Sequence, residues 1–251
     1  MKWKKLKELL DNEFPPMAAI LEDYIGEQVD IKENINKIMV TLDLTLNVIA
    51  QAQKNNVDLI ISHHPMFFGS KDEILKKDKI IKAQYKLLKN NQIGLYVIHT
   101  NADYNPNSIA YMQALALDLI NIKQSENNTH VIASLKETLP AFEFAEEIKE
   151  ILELGDIQFR NNFDINYPVK KVLIASGAGG SEINMMDDSI VNLIGEVKHH
   201  EWVTSKDRGI KVIEISHFSE NIFKSIVKIF LEKNTKIQII LSEEKNAYKL
   251  H

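Results

Sequence analysis

Cysteine is absent from the 251 residues of this chain. Disulfides, thiolate nucleophiles and cysteine-based zinc sites are excluded together, which leaves histidine and carboxylate as the strong metal ligands. Only two of the 30 basic residues are arginine, Arg160 and Arg208. Bidentate clamping of phosphate is therefore scarce, and phosphate recognition would fall to lysine or backbone amides. With 35 acidic residues against those 30, the net charge is -5, which argues against a general nucleic-acid surface but not against a small phosphorylated substrate. No run approaches the ~18 apolar residues of a membrane span. The basic start Met1-Lys2-Trp3-Lys4-Lys5 soon meets Asp11 and Glu13, so it is no secretory signal. These absences predict a soluble, cytoplasmic protein with no membrane partner. An apolar share of 45% is ample for a core, in two lobes or one large α/β unit.

The chain is organised around Val57-Asp58-Leu59-Ile60-Ile61-Ser62-His63-His64-Pro65. Its apolar run suits a strand covered on both faces, and Pro65 cannot extend the ladder, so the chain turns at the histidines. Two later stretches repeat the pattern. Gly94 to Ile98 runs into His99-Thr100-Asn101-Ala102-Asp103, and Gly209 to Ser216 runs into His217-Phe218-Ser219-Glu220. Strand C-terminal ends are where open α/β sheets place ligands. If the three strands are neighbours in a sheet, His63, His64, His99, Asp103, His217 and Glu220 converge on one cleft. Imidazole with carboxylate oxygen suits one or two divalent transition metals such as zinc, iron, manganese or cobalt.

Taken in order, the chain alternates. A helix over residues 2 to 12 ends at Pro15-Pro16; a strand at 37 to 43, a helix at 45 to 55 and the Val57 strand form a βαβ unit. A helix at 79 to 90, a strand at 93 to 98 and a helix from Asn107 to Leu119, with Asn107 as N-cap, continue it. The polar stretch 121–128 is the expected boundary between lobe one (about 1–122) and lobe two (about 129–251). In lobe two, strands are expected at 130 to 135, 171 to 175, 189 to 194, 210 to 216 and 237 to 241, with helices at 141 to 152, 199 to 206 and 219 to 231.

His99 either ligates or orients a ligand from just outside the coordination sphere. Asp103 ligates or answers a helix dipole. His217 and Glu220, three apart at a helix start, share a face and can grip one cation, although Glu220 could instead be a capping partner. A bridging carboxylate is the usual device of a dinuclear site. Gly177-Ala178-Gly179-Gly180-Ser181 could bring backbone to an anion or simply form a tight packing turn, and it lacks the phosphate-loop pattern. His199-His200 sits on a helix where neighbours diverge, which favours solvation or packing over chelation. His130 and His251 have no supporting constellation.

Together, Asp58-Leu-Ile-Ile-Ser-His-His-Pro, His99-Thr-Asn-Ala-Asp, Gly177-Ala-Gly-Gly-Ser, Gly195-Glu-Val-Lys-His-His and His217-Phe-Ser-Glu220 resemble the ordered signatures of the GTP cyclohydrolase 1 type 2 family, also called Nif-three-like dinuclear metal centre proteins. The resemblance spans nearly the whole chain. It implies two α/β lobes, with metal ligands at strand ends, and a toroidal homohexamer. It also implies two divalent ions per chain (Zn, Fe or Mn) on His63, His64, Asp103, His217 and Glu220. His99 then orients a ligand. The activity implied is a metal-dependent hydrolase of a nucleotide or related heterocycle, and the alternative is a non-catalytic metal-binding hexameric scaffold or carrier. The chain departs from the family at Glu22-Asp23-Tyr24-Ile25-Gly26-Glu27, where a Trp-Asp-Asn-x-Gly-Leu-like segment is usual. It also lacks the long central insertion of larger members.

Overall fold

A computed structural model of the chain describes residues 1–126, 128–155 and 159–247. In chain order the elements are α1 (Trp3–Glu13), β1 (Gly26–Val29), β2 (Lys37–Thr41), α2 (Leu46–Lys54), β3 (Leu59–Ser62), α3 (Lys71–Lys77), α4 (Lys79–Asn90), β4 (Gly94–Val97), α5 (Thr100–Asp103) and α6 (Ile109–Ala116). There follow β5 (Ile120–Gln124), β6 (Val131–Pro140), α7 (Ala141–Ile151), β7 (Arg160–Asn161), β8 (Pro168–Ala175), β9 (Val191–Ile194), α8 (His199–Asp207), β10 (Lys211–Glu214), α9 (Phe223–Asn234) and β11 (Gln238–Leu241). The described residues divide into two compact units, 1–105 with 223–244, and 106–222 with 245–247.

The first unit carries a five-stranded sheet in the order β1-β4-β3-β2-β11. β11, β2, β3 and β4 are parallel, and β1 closes the edge antiparallel to β4. All four residues of β3 and of β4 are buried, as expected of strands covered by helices on both faces. Ile60, Leu95, Val97 and Met39 pack with Val48, Ile49 and Ala52 of α2 and Leu88 of α4. Local chemistry starts those helices: Thr45 Oγ1 accepts from Val48 N at 3.1 Å, and Asp78 Oδ1 accepts from Ile80 N and Ile81 N, occupying donors that a helix start leaves unpaired.

The second unit carries a six-stranded sheet in the order β5-β6-β8-β9-β10-β7. β8, β9 and β10 are parallel, while β5, β6 and β7 run antiparallel to their neighbours. Its core joins Val131, Ala133, Val172, Ile174, Leu193 and Ile213 to Phe144 and Ile148 of α7.

Three expectations need correction. The polar stretch 121–128 is no boundary: residues 121–124 belong to the largely exposed edge strand β5, which pairs antiparallel with β6, residues 125, 126 and 128 begin the connection between them, and Asn127 lies outside the described residues. The division falls instead at 105/106, and the chain re-enters the first unit at Phe223 because β11 pairs β2. The cap of α6 is Ser108, whose hydroxyl accepts from Tyr111 N, one residue past Asn107. Residues 217–222 form a 3-10 turn before α9, so His217 and Glu220 precede the α-helix rather than open it.

Candidate metal centre

In the first unit, β3 delivers His63 and His64 beyond its last residue. Their backbone amides donate to Thr41 O at 3.1 Å and Leu42 O at 3.0 Å, so backbone pairing continues past the end of β3 and fixes the main chain of both histidines. β4 continues to Ile98, whose amide donates to Ser62 O at 3.0 Å; His99 follows with its amide donating to Asn101 Oδ1 at 2.9 Å, and α5 then carries Asp103. The ligand atoms of His63, His64 and His99 lie within 4.8 Å of one another. Their ring centroids are 4.9, 5.2 and 5.8 Å apart. Asp103 Oδ1 stands 3.8 Å from His63 Nε2.

All three rings are oriented by the same device. His63 Nδ1 donates to Ile98 O at 3.0 Å, His64 Nδ1 to Asp43 Oδ1 at 2.8 Å, and His99 Nδ1 to Asp23 Oδ1 at 2.8 Å. A carbonyl or carboxylate only accepts, so Nδ1 carries the proton and Nε2 keeps the lone pair a metal needs. His63 is fully buried. Burial lowers the His99 pKa, although the Asp23 hydrogen bond opposes the shift. Asp23 is itself buried, which works against its ionisation. Hydrogen bonds from His99 and Thr100 nevertheless hold it well below the usual carboxylate range. His99 is thus a neutral imidazole on an ionised anchor. This donor set fits a borderline divalent transition ion.

The second unit holds His217 and Glu220. The expectation that their strand neighbours the other two in a sheet does not hold, because β10 belongs to the six-stranded sheet. After β10 the chain passes Ser216, a non-glycine residue at φ +73°, in the sparsely populated left-handed region. It then enters the 3-10 turn, where positions i and i+3 eclipse. His217 Nε2 accordingly lies 3.1 Å from Glu220 Oε2, while His217 Nδ1 donates to Glu196 Oε2 at 2.9 Å. This fourth imidazole therefore shares the orientation of the other three. Glu220 is 2% exposed.

Gly177, at φ +55°, packs against this pair: a Cβ there would stand 2.3 Å from Glu220 Oε1 and 3.5 Å from His217 Nε2. A Cβ on Gly195 would in turn stand 2.5 Å from Gly177 O. The glycine turn is thus a packing device, and a buried carboxylate is a poor neighbour for an anion. His199 and His200 are exposed, with His200 Nε2 3.9 Å from Glu201 Oε1, in line with the solvated reading. His130 is half-buried beside Thr129, and His251 lies outside the described residues. The sequence reading missed Asp23, Asp43 and Glu196, the carboxylates that orient His99, His64 and His217.

A family model described as Duf34/NIF3 (NGG1p interacting factor 3) matches residues 1–247. The chain belongs to the Duf34/NIF3 family. A GTP cyclohydrolase 1 type 2 homolog of Methanocaldococcus jannaschii is 30% identical over 248 residues, covering 96% of this chain and 98% of that protein. One from Ureaplasma parvum is 29% identical over 239 residues, covering 90% and 88%. Among solved structures, reduced HcgD of Methanocaldococcus jannaschii has TM-score 0.79 at 28% identity, over 97% of this chain and 98% of that one. A Bacillus cereus protein related to NIF3 has TM-score 0.89 at 17% identity, over 100% and 99%, a likeness of fold. No described helix is long and apolar enough to cross a membrane.

Proposed function

We propose that this Duf34/NIF3 protein is a divalent-metal-dependent hydrolase of a nucleotide or related heterocycle, working in the cytoplasm as a homohexamer. Two ions per chain would be held by His63, His64, Asp103, His217 and Glu220, with His99 beside them. The observation that carries this is the imidazole group of the first unit, three rings whose Nδ1 atoms are each tied to an oxygen acceptor. Nothing in strand pairing or core packing needs three buried or half-buried imidazoles in that common orientation. Preorganised ligands do. The names of the relatives support the nucleotide as substrate class, and the scarcity of arginine fits binding through lysine and metal.

Divalent ions supply Lewis acidity, polarising a carbonyl or phosphoryl oxygen and lowering the pKa of water. The chain's own residues set the conditions for that chemistry. Asp23, Asp43, Glu196 and the Ile98 carbonyl keep the protons on Nδ1. Burial of His63 and Glu220 keeps bulk water from competing for these donors. The carboxylates of Asp103 and Glu220 offset the repulsion between two cations.

Elemental analysis of protein purified without chelators and then reconstituted is expected to find close to two transition-metal ions per chain. A reproducible value of one or less after reconstitution refutes the dinuclear reading. Turnover of GTP or another member of a nucleotide panel by that protein separates the hydrolase from a metal carrier or scaffold, which would hold the ions and convert nothing. Light scattering is expected to return the mass of a hexamer, and a monomer across a wide concentration range overturns that part.

A further inference from the structure

Phe67 and Phe68 follow directly on His63-His64-Pro65-Met66 and have opposite fates. Phe67 is 4% exposed and packs edge-on against Tyr85 at 5.9 Å. Phe68 is 60% exposed. Its ring stands edge-on to His99 at 6.0 Å on one side and to Tyr24, also exposed, at 6.1 Å on the other. Single exposed apolar residues are ordinary, but Tyr24, Phe68 and His99 form a continuous series of rings that ends on an imidazole of the metal centre. Burying a phenylalanine side chain is favourable, and here most of that surface is left in water.

The series is built by the same residue that orients His99. Asp23 accepts hydrogen bonds from His99 Nδ1, from Thr100 N and Thr100 Oγ1, and from Tyr24 N at 2.7 Å. Ile20 N is further tied to Thr100 Oγ1 at 3.1 Å. The 20–24 segment is thus clamped to the His99 loop, and Tyr24 is held beside Phe68. The centroid separations fall in the range of aromatic pairs. The exposed face of Phe68 remains open for a planar guest.

We propose that Phe68, with Tyr24 at its edge, is the stacking platform for a planar heteroaromatic ring of the substrate. This rests on the reading of the imidazole group as a metal centre and adds what the centre acts on: a ligand with a π-face rather than a bare phosphate or aliphatic ester. Base stacking on an aromatic side chain tolerates any ring. Phe68 therefore supplies affinity for the ring class, and other contacts must choose among rings.

The test uses the full-length, metal-reconstituted protein and calorimetric titration with two probes: a non-hydrolysable GTP analogue, and ribose 5-triphosphate, which has the charge without the ring. Wild type is expected to prefer the ring-bearing probe. Phe68→Ala should weaken that probe by roughly 5- to 150-fold and leave ribose triphosphate within about twofold, while Phe68→Trp keeps the wild-type preference. Wild type that shows no preference for the ring, equal losses for both probes, or a Phe68→Ala variant whose only change is a lower oligomer mass each overturns the platform; the last would mean another copy of the chain covers this face. Metal content is measured on every sample. Ring preference without bound metal would refute the metal centre and leave the platform standing, and full metal occupancy without ring preference would do the reverse.

Discussion

Replacing Gly177 by Ala tests the second half of the site with a built-in control. Gly177 and Gly209 both lie in the second unit with left-handed backbone, at φ +55° and φ +69°. An alanine at either position pays about 1–2 kcal/mol for the left-handed conformation. At about 2–4 °C per kcal/mol for a protein of this size, each should lose a few degrees of thermal stability. Only Gly177 has a neighbour in the way: the new Cβ would sit 2.3 Å from Glu220 Oε1, whereas nothing lies within 4 Å at Gly209. Heavy atoms meet at roughly 3.5 Å, so the carboxylate must retreat by about 1 Å. Productive ligand geometry tolerates about 0.5 Å, and disturbing a ligand's surroundings typically costs 10- to 100-fold in metal affinity. A 100-fold loss removes about 2.7 kcal/mol of metal-linked stabilisation. Gly177→Ala is therefore expected to bind Zn²⁺ 10- to 100-fold more weakly than Gly209→Ala, measured by competition with a chromophoric chelator. Its melting temperature should also rise less on adding metal. If the two variants show the same affinity and the same metal-induced rise, Glu220 is not a ligand and the argument from Gly177 collapses.

Asp103→Ala should lose more bound metal than His99→Ala, because an anionic carboxylate offsets repulsion between cations as a neutral imidazole cannot. Excess Zn²⁺ or Mn²⁺ should refill His99→Ala, and an empty His99→Ala beside a fully loaded Asp103→Ala reverses the assignment. Asp58 gives a pH prediction away from the site: burial opposes its ionisation, but hydrogen bonds from Asn36 N, Lys32 Nζ and Lys37 N lower its pKa in the fold. A depressed carboxyl stabilises fully above its unfolded value of about 3.9 and loses that contribution as pH falls through its folded value. Asp58→Asn should thus melt lower than wild type at pH 7, with the gap closing below about pH 4; a gap that persists unchanged at pH 2.5 would show that the ion contributes nothing.

What could be read from the chain alone divides along a physical line. β3, β4 and β10 were legible because buried parallel strands are apolar on both faces, and the histidines that follow them stand out at once. Those signals are local. The sheet to which β10 belongs is decided by pairing with β9 and β7, and the return of β11 to β2 joins segments about 200 residues apart; no periodicity reports either. Polarity at 121–128 misled because an exposed edge strand with its turn and a linker between lobes show the same solvated residues. The role of Gly177 hung on where the Glu220 carboxylate would lie, which its spacing could not show.

The same line runs through the metal centre itself. Each imidazole stands next to its strand, but the acceptor that fixes its tautomer lies 21 residues away for His64 and His217, 35 for His63 and 76 for His99. Ligand identity is therefore written locally and ligand orientation is written by the fold. Asp23 shows the consequence most clearly. Read in sequence, it sits between two departures from the family's usual segment, Glu22 and Tyr24; in the folded chain it orients the His99 ring and the backbone of Tyr24 together. A change at Asp23 should accordingly disturb metal binding and ring binding at once, whereas a change at Asp43, which accepts from His64 Nδ1 and lies outside the segment that carries Tyr24, should disturb only the first.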